Sequence, residues 1–466
     1  VKILRKKSIG QLQLEARQST GLKRVLGLGS LTAIGLGGII GVGALVLTGT
    51  VAAKDAGPAV LLSFILAGLA SAAAALCYAE FAGLIPVAGS AYTYSYAVLG
   101  EFAAWVIGWD LLLEYAMVVG VVAIGWSGYL DSILDLFGIQ LPQWAKGAPG
   151  TGPGHVVNLV AVIVSLGISV ILTFGIKWGS RFNNAMVLIK VGIILFIIAV
   201  GAFYVDIDHW TPFMPFGFEG VVTGAAIVFF AVFGYDTLTT AAEEAKNPQR
   251  DLPRAVIYSL GIALTLYVAF ALVLTGMMPY SQLDDPAPVA KAFNSVGLKW
   301  ATLIVSIAAV TGILSVLFAF MLGAARIWFA MSRDGLLPAW FAKIHPKYGT
   351  PYRPTLLLGV ITALASGFTP IKELAELVNI GTLSAFILIC AAVWVLRVKQ
   401  PDLPRTFRTP LVPWLPLIGI IFSIWLIISL PAVTWLRFAI WLIVGVVLYF
   451  VYGKNHSRLN HEEQTK

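Results

Sequence analysis

The chain has 466 residues, 59% of them hydrophobic and 12% charged, with a net charge of +8. Soluble domains carry about 25% charged residues to coat their surfaces, so this composition excludes an ordinary soluble enzyme and makes lipid the solvent for most of the chain. A mean hydropathy of +0.88 requires many membrane spans, since about 20 apolar residues suffice for one crossing.

In chain order, Lys2, Arg5, Lys6 and Lys7 lead into the polar stretch Gln11 to Gln18 instead of an apolar run. Residues 1–30 therefore read as a cytoplasmic tail without a cleavable signal. Twelve apolar runs bounded by charge, Pro or Gly follow. The first five are Leu31–Ala53, Pro58–Leu84, Phe102–Leu130, Val156–Ile176 and Phe182–Tyr204. Val221–Ala242, Leu252–Met278 and Leu298–Ala330 come next, then Thr355–Thr369, Leu374–Leu396, Pro413–Leu430 and Thr434–Tyr452, with residues 453–466 as a second tail. Of the 31 Lys and Arg, 24 fall on the side of the N-terminus, six fall opposite and Lys190 lies within a span. That asymmetry predicts a multi-pass protein of the cytoplasmic membrane with both ends cytoplasmic.

The basic residues are dispersed between spans and form no stripe, which argues against nucleic acid as a partner. Cys77 and Cys390 sit in apolar runs and read as buried thiols. His155, His209, His345, His456 and His461 all fall in loops or the tail, and neither a metal-ligand spacing nor a phosphate-binding loop occurs. These features weigh against a polytopic membrane enzyme and predict neither metal nor cofactor. A channel or sensor is the remaining rival to a carrier, and saturable counterflow of labelled substrate separates them.

The first span contains Gly35-Leu-Gly-Gly-Ile-Ile-Gly-Val-Gly43, and each Gly weakens a helix by roughly 1 kcal/mol relative to Ala. Close helix packing is one reading. The other is an unwound segment whose freed backbone binds a ligand. The sixth span repeats the feature in Phe229-Phe-Ala-Val-Phe-Gly-Tyr-Asp236. Spans one and six each open a block of five, 31–204 and 220–397. An odd number of crossings makes the second block inverted, and the last two spans, 412–452, lie outside the repeat. Interrupted spans at matching positions in two halves point to a midplane binding site.

Such breaks present N–H groups that suit a carboxylate and carbonyls that suit an ammonium, the two poles of an L-amino acid. Gly41 and Gly43 let the backbone approach the carboxylate, with Ile40 and Val42 beside them. Ile39, Phe230 and Ala231 are candidates for carbonyls facing the ammonium, and Phe233 and Gly234 complete the sixth-span segment. Ser315 and Met321 on span eight are candidates for the side-chain pocket, with a core or lipid-facing role as the alternative.

The residues Gly38-Ile-Ile-Gly-Val-Gly43, Cys77-Tyr-Ala-Glu-Phe81 and Gly89-Ser-Ala-Tyr-Thr-Tyr-Ser-Tyr96 resemble the amino acid, polyamine and organocation transporter superfamily. So do Phe233-Gly-Tyr-Asp236, Glu243-Glu-Ala-Lys-Asn-Pro248, Arg250-Asp-Leu-Pro253, and Arg326 with Ser332-Arg-Asp-Gly335. Tyr92 to Tyr96 and Glu243 to Pro248 look most like its cationic amino acid transporter subfamily. The resemblance covers spans one to ten and implies an all-α protein of five-plus-five inverted-repeat fold. It also implies alternating access and an amino acid bound between spans one and six. Ala44-Leu45 departs from the family's aliphatic-aromatic pair, which bears on the pocket's size and gating.

Lys190 lies about 12 Å into the fifth span from Phe182. A central lysine costs roughly 2.5–3.5 kcal/mol on insertion scales. It either snorkels to the cytoplasmic interface or holds its cation against the carbonyls of broken span one. The resemblance supports the second, because sodium-independent members carry a lysine here, implying proton coupling or exchange. A desolvated amine can also shed its proton. Glu114, with Asp110 one turn earlier, reads as a proton-relay carboxylate, an anion for cationic side chains, or a structural partner for another helix. Asp236 reads as a helix-stabilising or gating group, with a substrate contact as the alternative. Glu80, about 33 Å along its span from Pro58, reaches the cytoplasmic interface.

The resulting expectation is a sodium-independent, proton-coupled L-amino acid importer that rocks spans one, two, six and seven against the rest, or an amino acid or polyamine exchanger on the same fold. The subfamily resemblance favours cationic amino acids, but only one central carboxylate suits the end of a cationic side chain and Lys190 opposes it, so small neutral amino acids are at least as compatible. A small accessory membrane subunit would leave no mark in this sequence.

Overall fold

The computed structural model describes residue 10 and residues 26–85, 90–174, 180–348 and 350–458. Most of both expected tails, the end of the expected fourth span, Gly89 and the side chains of Glu243 and Glu244 lie outside the described residues. Within them the regular structure is helical apart from two isolated β-bridges. Helix α1 covers Leu28–Ile39, and a helical run over 43–56 continues it after a break. Then come α2 Val60–Leu84, α3 Ser90–Val98, α4 Glu101–Leu136, α5 Leu159–Thr173, α6 Ser180–Gly201 and α7 Gly217–Val228. After 3₁₀ turns at Phe229–Ala231 and Tyr235–Glu244 follow α8 Pro248–Met277, α9 Pro288–Ser295 and α10 Lys299–Arg333. Helices α11 Tyr352–Phe368, α12 Ile371–Lys399, α13 Trp414–Ile428 and α14 Ala432–Leu448 end the bundle.

Eight helical stretches among the described residues are long and apolar enough to cross a membrane, with shorter apolar helices beside them. The first stretch, Leu28–Leu84, has 57 residues, far beyond the roughly 20 that one crossing needs. Within it, Gly57 takes a φ of +63°, which suits glycine, and an added Cβ there would meet the Pro215 ring. The short helices α3 and α9 lie where the sequence reads as loops.

In lipid, apolar contact alone does not drive helices together, so close packing at small residues and interhelical hydrogen bonds must do it. Helix α4 is buried along its central length and forms the axis of the bundle, with α10 and α12 packed along it. Helix α2 packs mainly on α8, and α5 mainly on α11. Gly68 of α2 admits Leu264, and Gly125 of α4 admits Val42 and Val46. The outer helices α5, α13 and α14 turn Ile163, Ile428, Leu436 and Ile443 outward, the lipid-facing surface such a bundle requires.

Charges gather at the two ends. At one end Lys54 meets Asp284 at 2.7 Å and Lys372 meets Asp55 at 3.0 Å. At the other, Glu80 is buried by the protein itself. Arg397 grips it with two hydrogen bonds of 2.9 Å, Arg405 lies 2.8 Å away, and the Thr409 amide donates at 2.8 Å. A carboxylate so enclosed needs paired cations to be tolerated; Arg397 comes from the end of α12, and the segment after α12 supplies Arg405 and the Thr409 amide.

Candidate functional site

Helix α1 stops at Ile39 because Ile40 turns extended, with ψ 112°, and helical geometry resumes at Gly43–Leu47. The break deprives the last turn of its carbonyl partners. Two side chains from other helices replace them. Lys190 of α6 donates to Gly37 O at 2.8 Å, and the Tyr267 hydroxyl of α8 donates to Ile39 O at 2.9 Å. Farther along, Tyr129 donates to Leu45 O at 2.7 Å. Lys190 is 3% exposed, and its stem lies against Gly312 of α10. Its ammonium is therefore on the first break and not at an interface.

The second break follows the same rule with different chemistry. Helix α7 ends at Val228, and Gly234 takes φ +108°, a conformation that favours glycine. Asn379 of α12 donates its amide to Ala226 O at 2.7 Å and Ile227 O at 2.8 Å. Ser71 of α2 donates to Val232 O at 2.6 Å, and Thr237 closes on Gly234 O at 2.6 Å.

The two breaks meet backbone to backbone. An added Cβ at Gly38 would stand 2.5 Å from Gly234 O, and one at Gly43 would stand 2.6 Å from the Ala231 Cα. Side chains at either glycine would force the segments apart. Beside Gly41, Lys190 and Gly312 remains a cavity of only about 10 Å³. The first break is thus closed in this structure and must separate from its neighbours to admit a solute.

Around this contact the walls are apolar. Val42 fills the notch at Gly125, Val316 of α10 approaches Gly41, and Ile40 lines the small cavity. Phe233 meets Phe230 at 5.5 Å and Phe320 at 6.4 Å between ring centres. Ser315 turns its hydroxyl back to Gly312 O at 2.7 Å, and Met321 is fully buried. Their neighbours Val316 and Phe320 approach Gly41 and Phe233.

Behind the second break lie three buried acids. Asp110 and Glu114 share one face of α4, and Glu114 neighbours Asp236 and the Thr382 hydroxyl. The Tyr115 hydroxyl donates to Asp236 at 2.7 Å. Asp110 abuts Gly381, and its Oδ1 has no hydrogen-bond partner among the described residues. Sequence reasoning passed over Asn379, Tyr267, Ser71 and Tyr115. Asn379, a lone amide deep in an apolar run, carried a signal. Tyr267 is one tyrosine of 15 and carried none.

Comparison with known proteins agrees with this architecture. The profile of a family described as Amino acid permease matches residues 26–456. The chain is 49% identical to the methylthioribose transporter of Bacillus subtilis, covering 98% of this chain and 99% of that one. It is 48% identical to the branched-chain amino acid permease BcaP of the same organism, over 98% and 99%. It is also similar to the vacuolar cationic amino acid transporter 4 of Arabidopsis thaliana, with 31% identity over 88% of each.

Proposed function

The chain belongs to the amino acid permease family, and from that premise we propose that it carries neutral L-amino acids across the membrane by alternating access, sodium-independently and coupled to protons. The observation that carries this reading is the direct contact of the two helix breaks at Gly38 with Gly234 and Gly43 with Ala231. A solute bound there would meet N–H groups and carbonyls released from two helices at once. Parting of the segments would open the site to one side.

The proposed topology has twelve crossings in two inverted blocks of five, followed by α13 and α14, with both ends cytoplasmic. It takes Leu28–Leu84 as two crossings and counts the shorter α5, α11 and α13. Support comes from the packing, in which α2 pairs with α8, α4 with α10 and α5 with α11. Each pair joins elements at the same place in the two blocks.

In this reading the ammonium pole faces carbonyls of Ile39, Phe230 or Ala231, and the carboxylate faces the backbone over Gly41 to Gly43. The rings of Phe230, Phe233 and Phe320 favour an uncharged side chain, in keeping with the relative named a branched-chain amino acid permease. Lys190 supplies a cation to the first break in place of a metal ion, and Glu114 carries the relayed proton. The 49% identity to a protein named a methylthioribose transporter makes that sugar the second candidate.

The test is uptake into sodium-free proteoliposomes with and without an inward proton gradient, using labelled alanine, leucine and arginine and competing methylthioribose. Accumulation of alanine or leucine that collapses with a protonophore is the expected result. Counterflow without accumulation would make the protein an exchanger. Competition by arginine or methylthioribose, but not by alanine or leucine, would overturn the assignment of substrate.

A further inference from the structure

A second cavity lies away from the breaks. About 560 Å³ lies between the end of α4, the segment over 141–160, α9 and the start of α10. That volume is in the range of small-molecule sites, about 300–1,000 Å³, and the end of the bundle is the one proposed above to face outside.

Its lining carries charges of both signs. Asp131 meets Lys146 at 3.1 Å, and Asp285 meets Lys291 at 3.5 Å. Asp135 and Lys299 also line it. The structure gives neither an ion pair among the described residues. No group of acids, histidines and cysteines among those residues is arranged to hold a metal ion, so a divalent cation is a poor occupant. One cation and one anion left over in a cavity of this size match a small zwitterion.

The floor of the cavity is tied to the first break. Ser127 accepts from Asn158 at 2.8 Å, and the Asn158 carbonyl oxygen caps α5 at 3.0 Å. On the same stretch of α4, Gly125 receives Val42 and Val46, and Tyr129 holds Leu45 O. An occupant resting on Ser127 therefore bears on the helix turn that braces the segment after the break.

We propose that this cavity is a second binding site for a free amino acid, separate from the one at the breaks, with its ammonium at Asp135 and its carboxylate at Lys299. The proposal rests on the carrier reading only for the choice of ligand. Its test is equilibrium dialysis of labelled leucine and alanine against the purified full chain, with counterflow measured on the same preparation. The wild type binds two amino acids per chain, and Asp135→Asn combined with Lys299→Gln binds one while counterflow persists. Ser132→Trp, which fills the cavity without changing charge, has the same effect and guards against a fault specific to the charge variant. A wild type that binds one, retained in both variants with counterflow intact, overturns the second site and leaves the carrier reading standing. A wild type without counterflow, whose bound amino acid is lost in both variants, overturns the carrier reading and supports the cavity site. Absence of any binding overturns the proposal.

Discussion

The two helix breaks solve one problem with different materials. Carbonyls released in the first are held by a cation and a phenol, Lys190 on Gly37 and Tyr267 on Ile39. Those of the second are held by an amide and a hydroxyl, Asn379 on Ala226 and Ile227 and Ser71 on Val232. A neutral amide holds its partners whatever the proton supply. An amine holds a carbonyl most strongly while it is protonated, so the first break is the one whose brace the loss of a proton would loosen. In the proposed cycle this difference would give sensing to α6 and rigidity to α12.

The largest effect should come from destroying what the breaks share. Gly38→Val places branched carbons where Gly234 O and the Thr237 hydroxyl already stand 2.5 Å from a would-be Cβ. Uptake and counterflow should both be lost at normal membrane levels of protein. Transport within twofold of wild type would show that the contact is not part of the cycle.

Next in size is the change that should separate the two breaks. Lys190→Ala removes the cation from Gly37, and gradient-driven accumulation should disappear while counterflow survives. Asn379→Ala should instead leave the proton dependence in place. It leaves two buried carbonyls without their donor, each costing about 1–3 kcal/mol, so thermal stability should fall by several degrees while the pH profile of transport keeps its shape. Equal pH sensitivity in both variants would erase the division between sensing and rigidity. Glu114→Gln sharpens the same point, since a relayed proton at that carboxyl predicts a flattened pH profile with folding preserved.

Much of this arrangement was legible in the residues. Glycines at 35, 37, 38, 41 and 43 with no polar side chain among them, and the Gly234 interruption before an acid, marked both breaks. Lys190 stood out as a charge in an apolar run. What resisted reading depends on contacts made across long sequence separations. Glu80 is 317 residues from Arg397, and no local pattern tells an interfacial carboxylate from one enclosed by a returning loop. Ser315 and Met321 were chosen for their chemistry, and no local pattern marked their neighbours Val316 and Phe320, which approach Gly41 and Phe233. Rotation about a helix axis that is apolar all round leaves no period to read.

The smallest expected effect is the finest test of the comparison. Tyr267→Phe and Ser71→Ala each delete one hydroxyl that serves a broken-helix carbonyl, at 2.9 Å and 2.6 Å. Interhelical hydrogen bonds in membranes average about 0.6 kcal/mol, so each should cost little stability, and about equally. Their kinetics should differ. Ile39 O is proposed to face the substrate ammonium, so freeing it from Tyr267 changes the binding surface itself, and the apparent KM for alanine should shift by about two- to threefold, the size of one such bond. Val232 O is not among the proposed substrate contacts, so Ser71→Ala should leave KM where it was. A shift confined to Ser71→Ala would move the ammonium site from the first break to the second.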